Sequence, residues 1–429
     1  MKKTLIAVLA TASLLFAESY QVNTLSAKQM GMAHTGAGMK LGSESMNFNP
    51  GGLGFLDKKL DVSAGATFII PRVEVKVNDA KTVSSKLGVP FYVYAASSIA
   101  DRFSAGLSFT TPYGNSANYG KGWEGANLLQ DISLAVYALQ PTVAYKPMSQ
   151  FSMGVGPVIY SGSFVQNKRM VPGGNVGGNI NAAPLASAKF SGDADVALGV
   201  NAGILYDILQ DKLALGVGYR SEAKMKVAKG KTKMTYSDPD TRDKIISSIP
   251  LIAALDGSTF ETELPLPANL NTGVSFRPME KLLLAFDWQW IFWNTYDSLS
   301  LAFTNGVPFY KSVSQKKYHN TFAYRLGAQY ALIDQLDVRF GTYYDESPVD
   351  NSYLTPESPS TDKLGLTIGA SYRPITGLSI DASLLRAFAL SSRKATSGTK
   401  VDNYGSLDGL DARYKVTAWV PSIGLSYNF

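Results

Sequence analysis

The sequence predicts an all-β fold, a transmembrane antiparallel β-barrel of about 14 strands. Three observations indicate it: the alternation of the last strand, a secretory N-terminus, and connections that alternate between short and long. In the last strand one parity is apolar and aromatic from Ile423 to the terminal Phe429, and the other parity is small and polar. Because alternate side chains of a strand point to opposite faces, such a strand can face lipid on one side and a lumen on the other.

The N-terminus has the parts of a secretory signal peptide. Lys2 and Lys3 precede a short apolar run from Leu5 to Phe16, and Ala17 is a suitable cleavage site. We therefore expect residues 1–17 to be a signal peptide; a buried N-terminal helix is the alternative. No later stretch has the roughly 18 uncharged apolar residues that a membrane-spanning helix needs.

Composition excludes several classes of function. The 429-residue chain has a formal net charge of +6, no cysteine, 39 Gly, 23 Tyr and 20 Phe. The absence of cysteine excludes a disulfide framework and a thiolate metal site. The net charge is too small to indicate a nucleic-acid partner, whereas the many glycines and aromatics suit a barrel with aromatic girdles. We predict no cofactor, no metal site and no nucleic-acid partner.

Residues 18–58 precede the wall, which is predicted over residues 59–429. The stretch from Gln21 to Phe55 is rich in Gly, Met, Ser and Asn and lacks alternation, so we interpret it as compact and turn-rich. Within it, Asn49 before Pro50 favours a turn, and Gly51 can adopt backbone conformations closed to other residues. These three residues are candidates for a segment that caps the lumen and shifts on ligand binding; an ordinary turn is the alternative.

Strands dominate from Leu60 onward, and their charged residues share the parity opposite to the apolar one. Because charges are costly against lipid, that parity should face the lumen. The candidate lumen residues are Asp287, Arg325, Asp337 and Arg339. Ion pairs across the lumen and a guanidinium fork for a ligand carboxylate are both compatible with them. A soluble β-sandwich would show the same alternation, so the signal peptide, the terminal Phe and the loop lengths favour the barrel.

The connections support an even strand count. Six short turns and seven long loops imply about 14 strands with both chain ends on the periplasmic side. Aromatic residues precede the short turns or the C-terminus, as a girdle at one membrane interface predicts. They are Tyr145, Tyr206, Phe276, Tyr330, Tyr372 and Tyr427.

One predicted extracellular loop, over residues 229–258, contains an unusual apolar run. Its candidate substrate-capture residues are Ile245, Ile246, Ile249, Leu251, Ile252 and Leu255. An apolar surface groove could collect amphiphiles before they enter the barrel. A short helix packed on neighbouring loops is an equal alternative.

Several segments together resemble the FadL/TodX family of outer-membrane transporters for long-chain fatty acids and aromatic hydrocarbons. Tyr20-Gln21-Val22-Asn23 resembles the mature N-terminus of that family, and Asn49-Pro50 resembles its N-terminal plug, although Gly51 stands where the family has Ala. The most specific run is Tyr324-Arg325-Leu326-Gly327 followed by Val338-Arg339-Phe340-Gly341. The resemblance spans essentially the whole mature chain.

This resemblance implies a 14-stranded barrel plugged by an N-terminal hatch and passive transport of hydrophobic small molecules. Extracellular loops would capture the substrate, which would leave sideways through a gap at the third strand, where Ser104, Ala105 and Gly106 are small. Packing of these small residues against the hatch is the alternative. We expect a monomer in the outer membrane of a Gram-negative-type bacterium, in contact with the bilayer and lipopolysaccharide.

Two other classes of function are alternatives to transport. An enzyme is disfavoured because the only histidines, His34 and His319, lie in no recognisable nucleophile motif, and we predict no catalytic residue. An adhesin, a structural barrel or a general porin without a hydrophobic substrate remains the alternative. Small-ion conductance would reveal an open pore, which a plugged barrel forbids.

Overall fold

The computed structural model describes residues 19–56, 58–170, 186–248, 254–305, 311–396 and 410–429, so the predicted signal peptide lies outside the described residues. The strands are β1 (Asp61–Thr67), β2 (Ile70–Val77), β3 (Ala80–Ser84), β4 (Phe91–Ala100), β5 (Phe103–Asn118), β6 (Asp131–Met148), β7 (Phe151–Met170), β8 (Ala186–Leu209), β9 (Leu213–Arg220), β10 (Ala223–Tyr236), β11 (Thr259–Leu266), β12 (Asn269–Met279), β13 (Leu282–Ile291), β14 (Ser298–Asn305), β15 (Lys311–Gln315), β16 (Thr321–Ile333), β17 (Leu336–Asp345), β18 (Lys363–Tyr372), β19 (Leu378–Ala389), β20 (Arg393–Lys394) and β21 (Arg413–Asn428).

The helices are short. They are α1 (Ala27–Met30), α2 (Ser45–Phe48) and α3 (Pro239–Ser248), with 3-10 turns at Gly42–Glu44, Pro50–Phe55, Trp293–Thr295 and Asn351–Tyr353. No helix in the described ranges is both long enough and apolar enough to cross a bilayer.

Fourteen strands close a ring in which each strand is antiparallel to both neighbours, which confirms the predicted barrel. The ring order is β1, β4, β5, β6, β7, β8, β9, β12, β13, β16, β17, β18, β19 and β21. The first and last strands join in a regular register that runs from Asp61 opposite Asn428 to Thr67 opposite Ser422. The beginning of the first strand and the end of the last strand therefore both lie on the side of the short turns.

The remaining seven strands extend the wall on the side of the long connections. For example, β10 pairs with β8 on one edge and with β11 on the other. The loop predicted from residue 229 is therefore wrong in its first part, because β10 continues to Tyr236 and α3 follows it. In β10 the apolar side chains point inward and the lysines outward, the reverse of the lipid-facing pattern used for the prediction.

The outer face of the ring carries exposed apolar side chains, with aromatic side chains at the end that bears the short turns. The predicted girdle is confirmed at five positions, where the aromatic side chains are 40% to 50% exposed: Tyr206, Phe276, Tyr330, Tyr372 and Tyr427. On the last strand, Ile423 and Leu425 are each 53% exposed and Phe429 is 59% exposed. Exposed apolar side chains of this kind are satisfied by lipid rather than by water.

The N-terminal segment, residues 19–56, lies inside the ring and is mostly buried. Its backbone approaches the wall where the wall residue is glycine. A Cβ placed on Gly154, Gly216 or Gly327 would come within 3.0 Å of segment atoms, namely the carbonyl oxygens of Pro50, Ala37 and Met32 respectively. Further inward-facing contacts of this type are made by Gly203, Gly273, Gly341 and Gly369. These seven glycines, the glycine track, let the segment lie directly against the strands.

Candidate ligand pocket and lumen

An apolar pocket lies inside the wall on the side of the long connections. Its space, which is partly open to solvent, is about 680 Å³, and most of the surface that lines it is apolar. Its apolar lining comes from β6, β7, β8, β10, β11 and β14, because those strands turn apolar side chains inward beyond the membrane-spanning part of the ring. The main lining side chains are Ile132, Leu134, Phe164, Met225, Val227, Leu264 and Leu299.

Tyr20 of the N-terminal segment forms one side of this pocket. Its ring packs edge-on against Trp293 and Tyr296 at centroid distances of 4.9 and 5.6 Å, and it lies 6.2 Å from Tyr113 of β5. The Tyr20 hydroxyl donates to the Pro265 carbonyl. Edge-on aromatic packing and a satisfied hydroxyl hold this buried side chain in place.

A second, polar cavity of about 540 Å³ is lined by Gln21, Val22 and Tyr113, the immediate neighbours of the Tyr20 contact. His34, Arg220, Asp287, Gln289 and Arg325 also line it. The two cavities thus share the Tyr20–Tyr113 contact as their boundary. An amphiphile lying across that boundary would meet an apolar environment on one side and hydrogen-bonding groups on the other.

The predicted lumen residues are all buried and inward-facing. Asp287 accepts hydrogen bonds from the backbone N–H groups of Gly36 and Ala37, at 2.7 and 2.8 Å, so it holds the N-terminal segment to β13. Arg325 lies opposite Asp287 in the register between β13 and β16, and its guanidinium is 3.9 Å from Asp345.

Asp337 and Arg339 lie in β17 and belong to a second charged group. The Asp337 carboxylate is 2.6 Å from the Arg373 guanidinium and 3.7 Å from that of Arg339. Arg339 also donates to Gln329 at 2.9 Å. Both predicted arginines therefore have acidic partners within the protein.

Asn49, Pro50 and Gly51 begin the 3-10 turn Pro50–Phe55. The Asn49 side chain accepts from the Gly51 N–H at 3.0 Å and donates to the carbonyls of Ala37 and Ile204, at 2.7 and 2.9 Å. Pro50 occupies the first position of the turn, where its missing N–H costs nothing. One amide side chain thus joins two parts of the N-terminal segment to β8.

Ser104, Ala105 and Gly106 lie in β5 and pair in register with both β4 and β6. The irregularity in β5 is farther along, where pairing with β4 ends at Thr110 and the register with β6 shifts before Tyr113. At that point the N-terminal segment pairs with β5: Val22 N–H donates to the Pro112 carbonyl and Gly114 N–H to the Tyr20 carbonyl, each at 2.8 Å.

The predicted capture residues are only partly described. The backbone of Ile245 and Ile246 lies in α3, whereas Ile249, Leu251 and Ile252 lie outside the described residues. Leu255 is 3% exposed and packs in a cluster with Phe190, Phe260 and Phe303. The described end of this run therefore packs against wall strands.

A buried ion pair adjoins the apolar pocket. The Lys316 ammonium lies 2.5 Å from the carboxylate of Glu357, which lines the pocket, and the Lys316 side chain has no exposed surface. Burial by itself raises the pKa of Glu357, but the neighbouring Lys316 ammonium outweighs that effect and lowers the pKa below its usual value. The carboxylate is thus kept ionised by its partner.

Sequence reasoning missed most of the pocket. Met225 and Val227 alternate with exposed lysines, so their parity could have identified an apolar interior above the membrane. Leu134 and Leu264 come from strands distant in sequence, and only the closed ring brings them together. The Lys316–Glu357 pair joins two connections, for which no local pattern exists.

Comparison with known proteins places these features in context. Residues 8–429 match the family model described as "Outer membrane protein transport protein (OMPP1/FadL/TodX)". Outer membrane protein P1 of Haemophilus influenzae is 22% identical over 428 residues, covering 89% of each chain. The long-chain fatty acid transport protein of Escherichia coli K12 is 23% identical over 409 residues, covering 88% of this chain and 90% of its own.

Solved structures share the fold. A FadL homologue of Pseudomonas aeruginosa superposes with a TM-score of 0.81 at 22% identity, covering 96% of this chain and 100% of its own. The toluene transporter TodX of Pseudomonas putida has a TM-score of 0.71 at 16% identity, with the same coverage.

Proposed function

Because this chain belongs to the OMPP1/FadL/TodX family of outer membrane transport proteins, we propose that it is a passive channel for hydrophobic small molecules, either long-chain fatty acids or aromatic hydrocarbons. The observation that carries the proposal is the apolar lining of the pocket beside Tyr20, next to a polar cavity in a lumen that the N-terminal segment fills. Such a pocket favours an apolar ligand over water. One sequence relative is a long-chain fatty acid transport protein and one structural neighbour is a toluene transporter, and both agree with this substrate range.

The route begins at the long connections and ends in the bilayer. The apolar residues of the 245–255 run that precede the packed Leu255 collect the ligand, and the pocket beside Tyr20 receives it. The ligand then leaves sideways where residues 20–22 cover the edge of β5 beyond Thr110. A shift of the Asn49–Gly51 turn accompanies this step. No energy source is required, because the free energy of a hydrophobic ligand falls when it passes from water to lipid.

Filling the pocket should block uptake. In Leu134→Trp the larger side chain occupies space that the ligand needs, and we expect uptake of radiolabelled oleate and toluene by cells expressing the variant to fall at least about tenfold. Leu332→Trp is the matched control, because Leu332 is 52% exposed next to a short turn, where tryptophan suits the membrane interface.

Equal uptake by both variants would contradict the proposal. Heat-dependent mobility in gels separates a folded barrel that no longer transports from one that failed to fold. Oleate and toluene tested separately distinguish the two substrate classes.

We also propose that the protein is a monomer and not an enzyme. His34 is buried with its ring centroid 5.8 Å from that of Tyr343, and its Nδ1 has no hydrogen-bond partner among the described residues. A histidine that activates a nucleophile as a general base needs such a partner to orient its ring.

Low ion conductance in planar bilayers would support a plugged channel, whereas a large steady conductance would favour a general porin.

A further inference from the structure

A row of lysines runs along the outer face of β10. Five lysines are exposed, whereas Met225, Val227 and Met234 of the same strand point inward. The lysines are Lys224, Lys226, Lys229, Lys231 and Lys233. We call these five residues the lysine row. The inward side chains belong to the pocket and to a packed cluster, so the direction of the lysines is fixed by the opposite face of the same strand.

The lysine row begins where the lipid-facing band ends. On β8 the band runs from Tyr206 in the girdle to Val196, which are 43% and 66% exposed. Ten residues of tilted strand span roughly 25 Å along the membrane normal, the height of an outer-membrane hydrophobic belt. Beyond Val196 the same strand pairs with β10, with Lys189 directly opposite Lys233.

The lysines at the far end of the row are not neutralised within the described parts of the chain. Lys224 and Lys226 have partners across β11, at 3.7 Å from Glu263 and 3.2 Å from Glu261. No carboxylate of the described residues forms an ion pair with Lys229, Lys231 or Lys233.

Unpaired lysines of this kind should destabilise the sheet. Like charges directly opposite each other, as at Lys189 and Lys233, are unfavourable in an antiparallel pair. An external anion lying along the strand would remove that penalty.

We propose that the lysine row binds the phosphate groups of the lipopolysaccharide of the outer leaflet. The membrane surface at this height carries the anionic headgroups of that lipid, and lysines held near such a surface are attracted to it. Point-charge ammonium groups on mobile stems suit phosphates whose positions vary, whereas a rigid binding fork would require arginine. The site lies on the outside of the wall and does not depend on which ligand the channel carries.

The test uses the purified full chain in detergent and a deep-rough lipopolysaccharide. Lys229→Gln/Lys231→Gln/Lys233→Gln should bind it at least about tenfold more weakly than the wild type at low salt. The matched control, Lys58→Gln/Lys59→Gln/Lys281→Gln, removes three exposed lysines at the opposite end of the barrel and should bind normally. Heat-dependent mobility in gels shows that each variant is folded, whichever ligand the channel carries.

The chemistry of the partner is tested with two further probes. The same lipopolysaccharide after enzymatic removal of its phosphates should bind the wild type no better than the triple variant binds the intact lipid. Vesicles of phosphatidylglycerol should compete weakly. Equal binding by wild type and triple variant, equal binding of the phosphate-free lipid, or full competition by phosphatidylglycerol would each overturn the proposal.

Discussion

At the scale of single residues, the Lys316–Glu357 pair shows how burial changes the contribution of an ion pair to the stability of the fold. Replacing Lys316 by Met leaves the Glu357 carboxylate buried without its partner, and breaking a buried pair in this way costs about 3–5 kcal/mol. The neighbouring pair of Lys317 and Asp297 lies 2.6 Å apart but is about half exposed. Lys317→Met should therefore lower stability far less than Lys316→Met does. Limited proteolysis of the extracellular connections, followed against temperature, measures both.

The same pair predicts a pH dependence. The folded state lowers the pKa of Glu357, so its contribution to stability is fully present above the unfolded value of about 4.3 and is lost as the pH falls through the lowered folded value. The wild type should become more sensitive to protease below about pH 4.3, and Glu357→Gln should show a smaller change over that window. Identical pH profiles would contradict this assignment.

At the scale of elements, the contact between the N-terminal segment and β5 decides whether the proposed lateral release requires these two elements to separate. Gln21 and Tyr113 form an isolated antiparallel bridge flanked by two hydrogen bonds, the geometry of a closely spaced pair that accepts a disulfide. The chain has no other cysteine. Oxidised Gln21→Cys/Tyr113→Cys should transport at least about tenfold more slowly than its reduced form, because the segment can no longer leave the edge of β5.

The two single-cysteine variants control for the loss of each side chain. Uptake that is equal before and after reduction would mean that the ligand leaves without separating these elements. In that case the exit lies elsewhere in the wall.

Element boundaries were predictable only where lipid imposes the pattern. The strands that cross the bilayer, such as β16 and β18, have outward apolar residues, and the sequence identified them. Beyond the membrane, the outward side chains of the wall face water and the inward ones line the apolar pocket. The order of polar and apolar residues along the strand is therefore the reverse of the lipid-facing pattern. For that reason the sequence pattern predicts a loop where β10 continues as a strand.

At the scale of the whole molecule, the glycine track lets the N-terminal segment pack against the wall, and we expect this close packing to keep the lumen closed to ions. A methyl group in Gly216→Ala would overlap the Ala37 carbonyl and displace Gly36 and Ala37, whose backbone N–H groups would lose their hydrogen bonds to Asp287. We expect a loss of about 1–3 kcal/mol of stability and measurable ion leakage in planar bilayers. Gly122→Ala is the control, since a Cβ there meets no atom within 4 Å and the backbone is unstrained. Equal conductance of the two variants would contradict the prediction.

The fold and the candidate site differ in how much the sequence reveals. Alternation over a bilayer, an even strand number and a terminal aromatic residue follow from the solvent, so the 14-stranded ring was predictable. The contacts of Asn49 with Ala37 and Ile204, and the convergence of Leu134 with Leu264, depend on the closed ring and have no local signature.

The position of Tyr20 has a practical consequence. Tyr20 lines the candidate pocket and lies three residues after Ala17, the predicted cleavage site, so a polypeptide fused at the N-terminus that this cleavage would create would compete for the same space. Affinity tags and fluorescent reporters for this protein therefore belong in its long surface connections. A protein with a tag at its N-terminus would bind less ligand than the untagged protein.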